Sequence, residues 1–236
     1  MKALMSANQQ ETESDNLEEP KTCRGISQAN QAYIRLEELI VTLQLAPGTV
    51  LTEQTLIQML NMGRTPIREA LQRLALEGLV IILPRRGILI ATISIRNQLE
   101  LLRLRREVQR LMVRYAALRC TVAERAQFRR IADQIDQVAA ANDDVAFMRL
   151  DLELDILLGQ TCRNEYAQRT VRLISSLARR FWYQHKQVVD LPRSARLHAA
   201  LARAVANGDG ELAITCSDAL IDYIQEFAHA TLEERT

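Results

Sequence analysis

The chain has 236 residues, enough for two modest domains or one large one. Hydrophobic residues make up 48%, mostly Leu, Ala, Ile and Val, and aromatics only 4%, a composition that points to a helical protein and away from a β-sandwich. The formal net charge of +1 excludes a polyelectrolyte that coats polyanions indiscriminately. No apolar run approaches the roughly 18 to 20 residues of a membrane span, and no hydrophobic signal core opens the chain, so it is expected in the cytoplasm.

Residues 1–26 are polar and acidic, with Glu11, Glu13, Asp15, Glu18 and Glu19 and no sustained period. They read as a disordered tail. From Ser27 to Gln44, Leu36, Leu39, Ile40 and Leu43 recur at helical spacing ahead of Pro47-Gly48, giving a first helix. Leu51 to Leu60 reads as a second helix capped by Thr52, and Asn61-Met-Gly63 has the length of a helix-turn-helix turn. Thr65-Pro66 then reads as the N-cap and first residue of a third helix, closed by Gly78. Ile67, Ala70, Leu71 and Leu74 form its apolar stripe. Arg64, Thr65, Arg68 and Gln72 occupy the other face, where their donors suit phosphate oxygens and base edges in a DNA major groove. The runs Leu79–Leu83 and Ile88–Ala91 read as two strands joined by a turn at Pro84-Arg85-Arg86-Gly87, so arginines sit at a hairpin tip.

Three helices followed by a basic hairpin make a winged helix-turn-helix, here residues 27–91. This segment holds six Arg against five Glu, a net of +1, so binding must depend on where the arginines point.

Residues 92–97 read as a connector, and 98–232 as helix throughout. Arg96 to Arg119 is one long helix on which Leu101, Leu104, Val108, Leu111 and Tyr115 share a face. Thr121-Val-Ala-Glu124 is a capping box that opens a helix to about Ala141. Asn142 is expected to cap the next, to about Thr161, and Asn164 starts another to about Gln187. Leu191-Pro192 reads as an interruption before a helix from Arg193 to Ala206. Asn207-Gly-Asp-Gly210 precedes the last helix. The fold class is therefore mainly α: a winged helix-turn-helix, then an antiparallel bundle of about six helices. Cys23, Cys120, Cys162 and Cys216 are scattered without C-x-x-C spacing, which argues against a zinc ribbon or a disulfide framework and reads as small buried thiols.

Several segments at fixed spacing resemble the GntR family of bacterial transcription regulators: Leu45-Ala-Pro-Gly48, Leu51-Thr-Glu53, Arg64-Thr-Pro-Ile-Arg-Glu-Ala-Leu71, Glu77-Gly-Leu-Val80 and Pro84-Arg-Arg-Gly87. The resemblance implies DNA contacts from Arg64, Thr65 and Arg68, an additional one from Gln54, and a wing whose Gly87 lets the backbone lie close to the minor groove. One position departs: the family usually has Ser before Arg-Thr-Pro, and this chain has Gly63.

The order of the two halves resembles the branch with a FadR C-terminal-like domain. That resemblance implies a homodimer, usually a repressor, whose helical domain binds a small organic acid, often through a metal ion, and shifts the DNA-binding heads. The implied metal ligands fall on Asp151, Asp155, His198 and Leu220. The family has His at the second and fourth positions, so two of four ligand types differ. Two carboxylates with one imidazole suit manganese or magnesium better than zinc or nickel, and a metal-free polar pocket is the other reading.

Asp151 and Asp155 also stand out on their residues alone, one turn apart and bordering the apolar stripe of Phe147, Leu154 and Leu158. His198 lies on the face with Leu201, Ala202 and Val205 and reads as a ligand or as a hydrogen-bonded core residue. Arg105, Arg106, Arg179 and Arg180 are candidates to clamp a carboxylate, Arg105 first; surface or interface salt bridges are the alternative. Trp182 and Tyr183, beside His185, line a pocket or pack in the core. The function expected is an effector-controlled transcription regulator; the rivals are a constitutive DNA-binding protein with a decayed pocket, and a metal-dependent enzyme. The enzyme reading lacks an activated nucleophile and a glycine-rich phosphate loop.

Overall fold

The computed structural model describes residues 27–233, so the acidic tail expected at 1–26 lies outside the described residues. Three helices and a small sheet come first. Helix α1 (Gln28–Val41) is capped by the Ser27 hydroxyl, and α2 (Glu53–Leu60) by Thr52, which accepts from the Thr55 amide. Asn61, in a left-handed conformation, turns the chain into α3 (Arg64–Leu76). Strands β2 (Val80–Leu83) and β3 (Gly87–Ile90) form the wing, with Val80 opposite Ile90 and Leu83 opposite Gly87. A two-residue strand β1 (Val50–Leu51) adds to the other edge of β3, so that Leu51, expected at the start of the second helix, belongs to the sheet instead. Tyr33, Leu36, Leu56, Ile67, Leu74, Leu79 and Ile90 interlock as the core of this half.

The N-terminus of α3 corrects an expectation. Its N-cap is Gly63, not Thr65, and no side chain caps it. Thr65 and Pro66 are the second and third helical residues, where a missing N–H still costs nothing because the first four amides have no intrahelical acceptor.

Among the described residues six α-helices follow, α4 (Ile95–Arg119), α5 (Val122–Ala140), α6 (Asp144–Thr161), α7 (Glu165–His185), α8 (Leu191–Asn207) and α9 (Gly210–Glu233), with a short 3-10 turn, Lys186–Val188, between α7 and α8. The capping box forms, with Thr121 and Glu124 bonding each other's backbone amides. Two other starts shift. Asp143, not Asn142, caps α6, because Asn142 takes a left-handed φ of 52° and ends α5 instead. Pro192 does not interrupt the chain; it sits in the first turn of α8, which Asp190 caps. Helix α4 packs on α9, α5 on α8, and α7 crosses both α4 and α1. Phe128, Ile131, Phe147, Leu154, Leu201 and Val205 lie in the bundle core.

Helix α4 has two apolar faces. The inner one carries Leu102, Met112, Val113, Ala116 and Ala117 and, among them, buried Gln98, Arg105 and Gln109. The face of Leu104, Leu111 and Tyr115 looks outward, extended by Leu118; Leu104 is 50% and Leu118 62% exposed.

The two halves meet along α7. Leu177 packs against the core of the first half, and Ser176 Oγ donates to Glu37 on α1. Arg179 Nη2 donates to the same carboxylate at 3.0 Å. Arg180 is 1% exposed and donates to the Ala91 carbonyl at the end of the wing; burial lowers its guanidinium pKa to about 10. No helix among the described residues is long and apolar enough to cross a membrane.

Candidate functional site

The first site is the outer end of α3 with the wing. Ile67, Ala70, Leu71 and Leu74 are buried, which turns Arg64, Thr65, Arg68 and Gln72 to solvent. Gln54 on α2 is also exposed. Arg68 Nε reaches both oxygens of Glu53 at 3.0 Å, yet its side chain stays 57% exposed. In that geometry Glu53 orients the guanidinium without covering it.

The wing tip is a hydrogen-bonded turn in which Arg86 N donates to Leu83 O at 3.0 Å. Pro84 takes its second position and Arg85 its third, with a φ of +62° that favours Gly. Arg85 and Arg86 are both exposed there. Gly87 has its own structural reason: its φ is +115°, and a Cβ would stand 2.4 Å from the Leu51 carbonyl oxygen. Only glycine lets β1 and β3 approach so closely.

The second site is a cavity of about 50 Å³ in the helical half, lined by Gln98, Arg105, Phe147, Asp151, Arg179, Trp182 and His198 among others. His198 Nδ1 lies 2.7 Å from the Ser194 carbonyl oxygen, and Nε2 lies 3.0 Å from Asp151 Oδ1. Burial raises the Asp151 pKa, but the hydrogen bond and charge of His198, with Arg105 and Arg179 nearby, outweigh it and hold the carboxyl below its ordinary value. Asp155 faces elsewhere: Arg105 Nη2 lies 3.4 Å from both its oxygens, and Ser175 Oγ donates to it. Burial lifts its pKa, Asp151 adds to the rise, and Arg105 and Ser175 oppose it. Arg105 also donates from Nε to Gln109 Oε1 at 2.8 Å.

The structure thus brings Arg105, Asp151 and His198 to the cavity wall and assigns Asp155 to a buried ion pair behind it. Leu220 is a core residue, 1% exposed. Among the described residues no group of three His, Cys, Asp or Glu is arranged to hold an ion. The donors do not fit the metal that the resemblance implies, since Asp155 already serves a guanidinium. Of the other arginines, Arg179 lines the cavity, Arg106 bonds Asp218 and Asp222 on α9, and Arg180 holds Ala91. Trp182 lines the cavity, while Gln98, Ser194, Tyr223 and Phe227 join it without having been expected there. Their signal is weak: a polar residue on an inner helix face shows only once the packing is known.

A winged helix-turn-helix with an exposed arginine-bearing helix end, joined to an all-helical domain with a mostly apolar cavity that Arg105, Asp151 and His198 border, defines a DNA-binding regulator. Comparison with known proteins gives the family. Residues 28–90 match the family model described as bacterial regulatory proteins, gntR family, and residues 100–223 match the FCD domain. The chain belongs to the GntR family of transcription regulators, in the branch with an FCD domain; these are not enzymes.

The HTH-type transcriptional repressor RspR of Escherichia coli K12 is 28% identical over 212 residues, which cover 87% of this chain and 89% of that one. An uncharacterized HTH-type transcriptional regulator in an unstable DNA locus of Streptomyces ambofaciens is 37% identical, over 30% of each chain. Among solved structures, E. coli McbR/YncC superposes with a TM-score of 0.76 over 88% of this chain and 100% of that one, at 18% identity, a likeness of fold.

Proposed function

We propose that this regulator works as a cytoplasmic homodimer that represses transcription from a short near-palindromic operator and is controlled by a small organic acid bound in the helical domain. The observation that carries the DNA-binding part is that Arg64, Thr65 and Arg68 at the start of α3, with Gln72 one turn further on, are all exposed. That helix end fits a major groove, where an arginine bidentate to guanine discriminates by roughly 1 to 3 kcal/mol. Gln54 adds a contact from α2, and Arg85, Arg86 and the Gly87 backbone reach the adjacent minor groove and its phosphates.

Dimerisation is supported by the outer face of α4, where Leu104, Leu111, Tyr115 and Leu118 stand exposed at helical spacing. A stripe of this kind on a soluble protein calls for a cover, and a two-fold axis through it pairs the stripe with itself. Each head then meets one half-site, with centres about 10 base pairs or a multiple apart. The cavity in each helical domain is the place for the effector.

Selection from random duplexes tests this reading. The expected product is an inverted repeat, with binding lost in Arg64→Ala and Arg68→Ala and the protein reduced to monomers by Leu111→Glu with Leu118→Glu. Recovery of no symmetric site, or selection unchanged by both arginine variants, would refute it.

A further inference from the structure

The arginine face of the winged helix carries more charge than its own half neutralises. Arg64, Arg68, Arg85 and Arg86 are all exposed. Glu53 bonds Arg68, but among the described residues no carboxylate pairs with Arg64, Arg85 or Arg86. The start of α3 adds to the same sign, because Gly63 gives it no side-chain cap and the leading amides of a helix form its positive end. The exposed Glu69 lies on another flank of α3, in a groove with Ser27, Asn30 and Arg73.

The chain enters this half beside that face. Gln28 and Gln31, on the first turns of α1, line one surface groove with Met59, Asn61, Met62 and Gly63, the residue that opens α3. Ser27, one position earlier, lines the groove with Glu69 on the neighbouring side. The sequence that precedes Ser27 is thus tethered next to α3, and it is acidic. Residues 11–19 hold five carboxylates, Glu11, Glu13, Asp15, Glu18 and Glu19, and no cation; Lys21 and Arg24 fall outside the run. Seven residues, 20–26, join the run to Ser27. At full extension they allow at most about 29 Å between Glu19 and Ser27, whereas Arg64 and Arg68 are separated by only about 6 Å along α3.

We infer that the acidic run of residues 11–19 docks on the arginines at the start of α3 and occupies that face until duplex DNA displaces it. The inference rests on the DNA-binding reading above and adds a competitor carried by the chain itself. Glu53 shows that the face accepts a carboxylate: both its oxygens lie 3.0 Å from Arg68 Nε, and the Arg68 side chain remains 57% exposed, with its other N–H groups available to a second acceptor. One exposed ion pair is weak, so the run holds by number and by tethering. A short tether raises the local concentration to about the millimolar range, which keeps a weak contact occupied and still lets the many phosphates of a duplex win. Apparent DNA affinity falls with the fraction of heads left uncovered, and the handicap shrinks as salt screens the pairs.

Full-length wild type is compared with a full-length variant carrying Glu11→Gln, Glu13→Gln, Asp15→Asn, Glu18→Gln and Glu19→Gln, by fluorescence anisotropy on the selected duplex from about 50 to 200 mM salt. The variant binds about threefold tighter or more at the low-salt end, and the two lines approach each other toward the high-salt end. A contact probe separates docking from repulsion at a distance. In Arg64→Lys protein without DNA, a carbodiimide joins a carboxylate of residues 11–19 to the amine at position 64, and mass spectrometry of the digest finds the link. Equal affinities at low salt overturn the competitor. Tighter binding by the variant with no link to position 64 reduces the effect to long-range repulsion and overturns docking. Wild-type protein that selects no duplex refutes the DNA-binding reading instead, and the link forms or fails independently of that result.

Discussion

Replacing Arg85 by Gly tests the wing where shape and charge conflict. Arg85 holds a φ of +62° at the third position of a tight turn, which costs an L-residue about 1 to 2 kcal/mol. Glycine removes that strain but loses about 0.5 to 1 kcal/mol to the greater freedom of the unfolded chain. The balance favours the variant by about 0.5 to 1 kcal/mol, read as a higher urea midpoint for the winged-helix transition at unchanged slope. DNA binding moves the opposite way. One lost phosphate contact per head, two in the proposed dimer, reduces the slope of log K against log salt by about 1.8. Between 50 and 200 mM salt the wild type then loses about tenfold more affinity than the variant. Fluorescence anisotropy on the selected duplex at four salt concentrations measures this slope. Parallel salt lines would show that the arginine does not touch the duplex, and an unchanged or lower urea midpoint would show that the turn is not strained.

Other outcomes follow from single contacts. Gly87→Ala drives a methyl into the Leu51 carbonyl at 2.4 Å and should cost at least about 2 kcal/mol by urea unfolding, of the order found for strained backbone positions. Gly63→Ser meets only Pro66, at 3.7 Å, and places a hydroxyl at an uncapped N-terminus; a gain of a few tenths of a kcal/mol is expected, and tighter DNA binding if the hydroxyl also meets phosphate. Thr121→Ala removes half of the capping box, at about 1 kcal/mol. Glu124 gives the pH dependence of that box: the Thr121 backbone amide, with the Thr121 hydroxyl and Arg163, lowers its pKa against a small opposing effect of burial. A depressed folded pKa contributes stability above the unfolded value of about 4.3 and loses it as pH falls through the folded value. The stability difference between wild type and Glu124→Gln should therefore shrink below about pH 4; a difference independent of pH from 7 to 3 would refute it.

What the sequence reveals is what local chemistry dictates. Thr121-Val-Ala-Glu124 announces its helix because both partners of the capping box lie within one turn. The apolar stripe of α3 fixes which arginines face outward, since a helix with one greasy side has one way to pack. Prolines mislead by a residue or two: Pro66 and Pro192 both sit inside first turns, because any of the leading amides can be dispensed with. Helix α4 is harder. With apolar residues on two sides and Gln98, Arg105 and Gln109 turned inward, hydropathy alone does not tell the bundle face from the outer one. The cavity shows the same limit: Asp151 and His198 stand out from sequence, but that Asp155 would desert them for Arg105 depends on a helix fifty residues away.

The grip of α7 on the first half has a further consequence. Ser176, Arg179 and Arg180 hold the winged helix at two points far apart in sequence, Glu37 and the Ala91 carbonyl. Heads and bundles of such regulators look like interchangeable parts, but a transplanted head here must bring an acidic residue at the Glu37 position, and the receiving bundle must present both arginines in register. A hybrid that breaks that match loses the contacts that seat one half on the other.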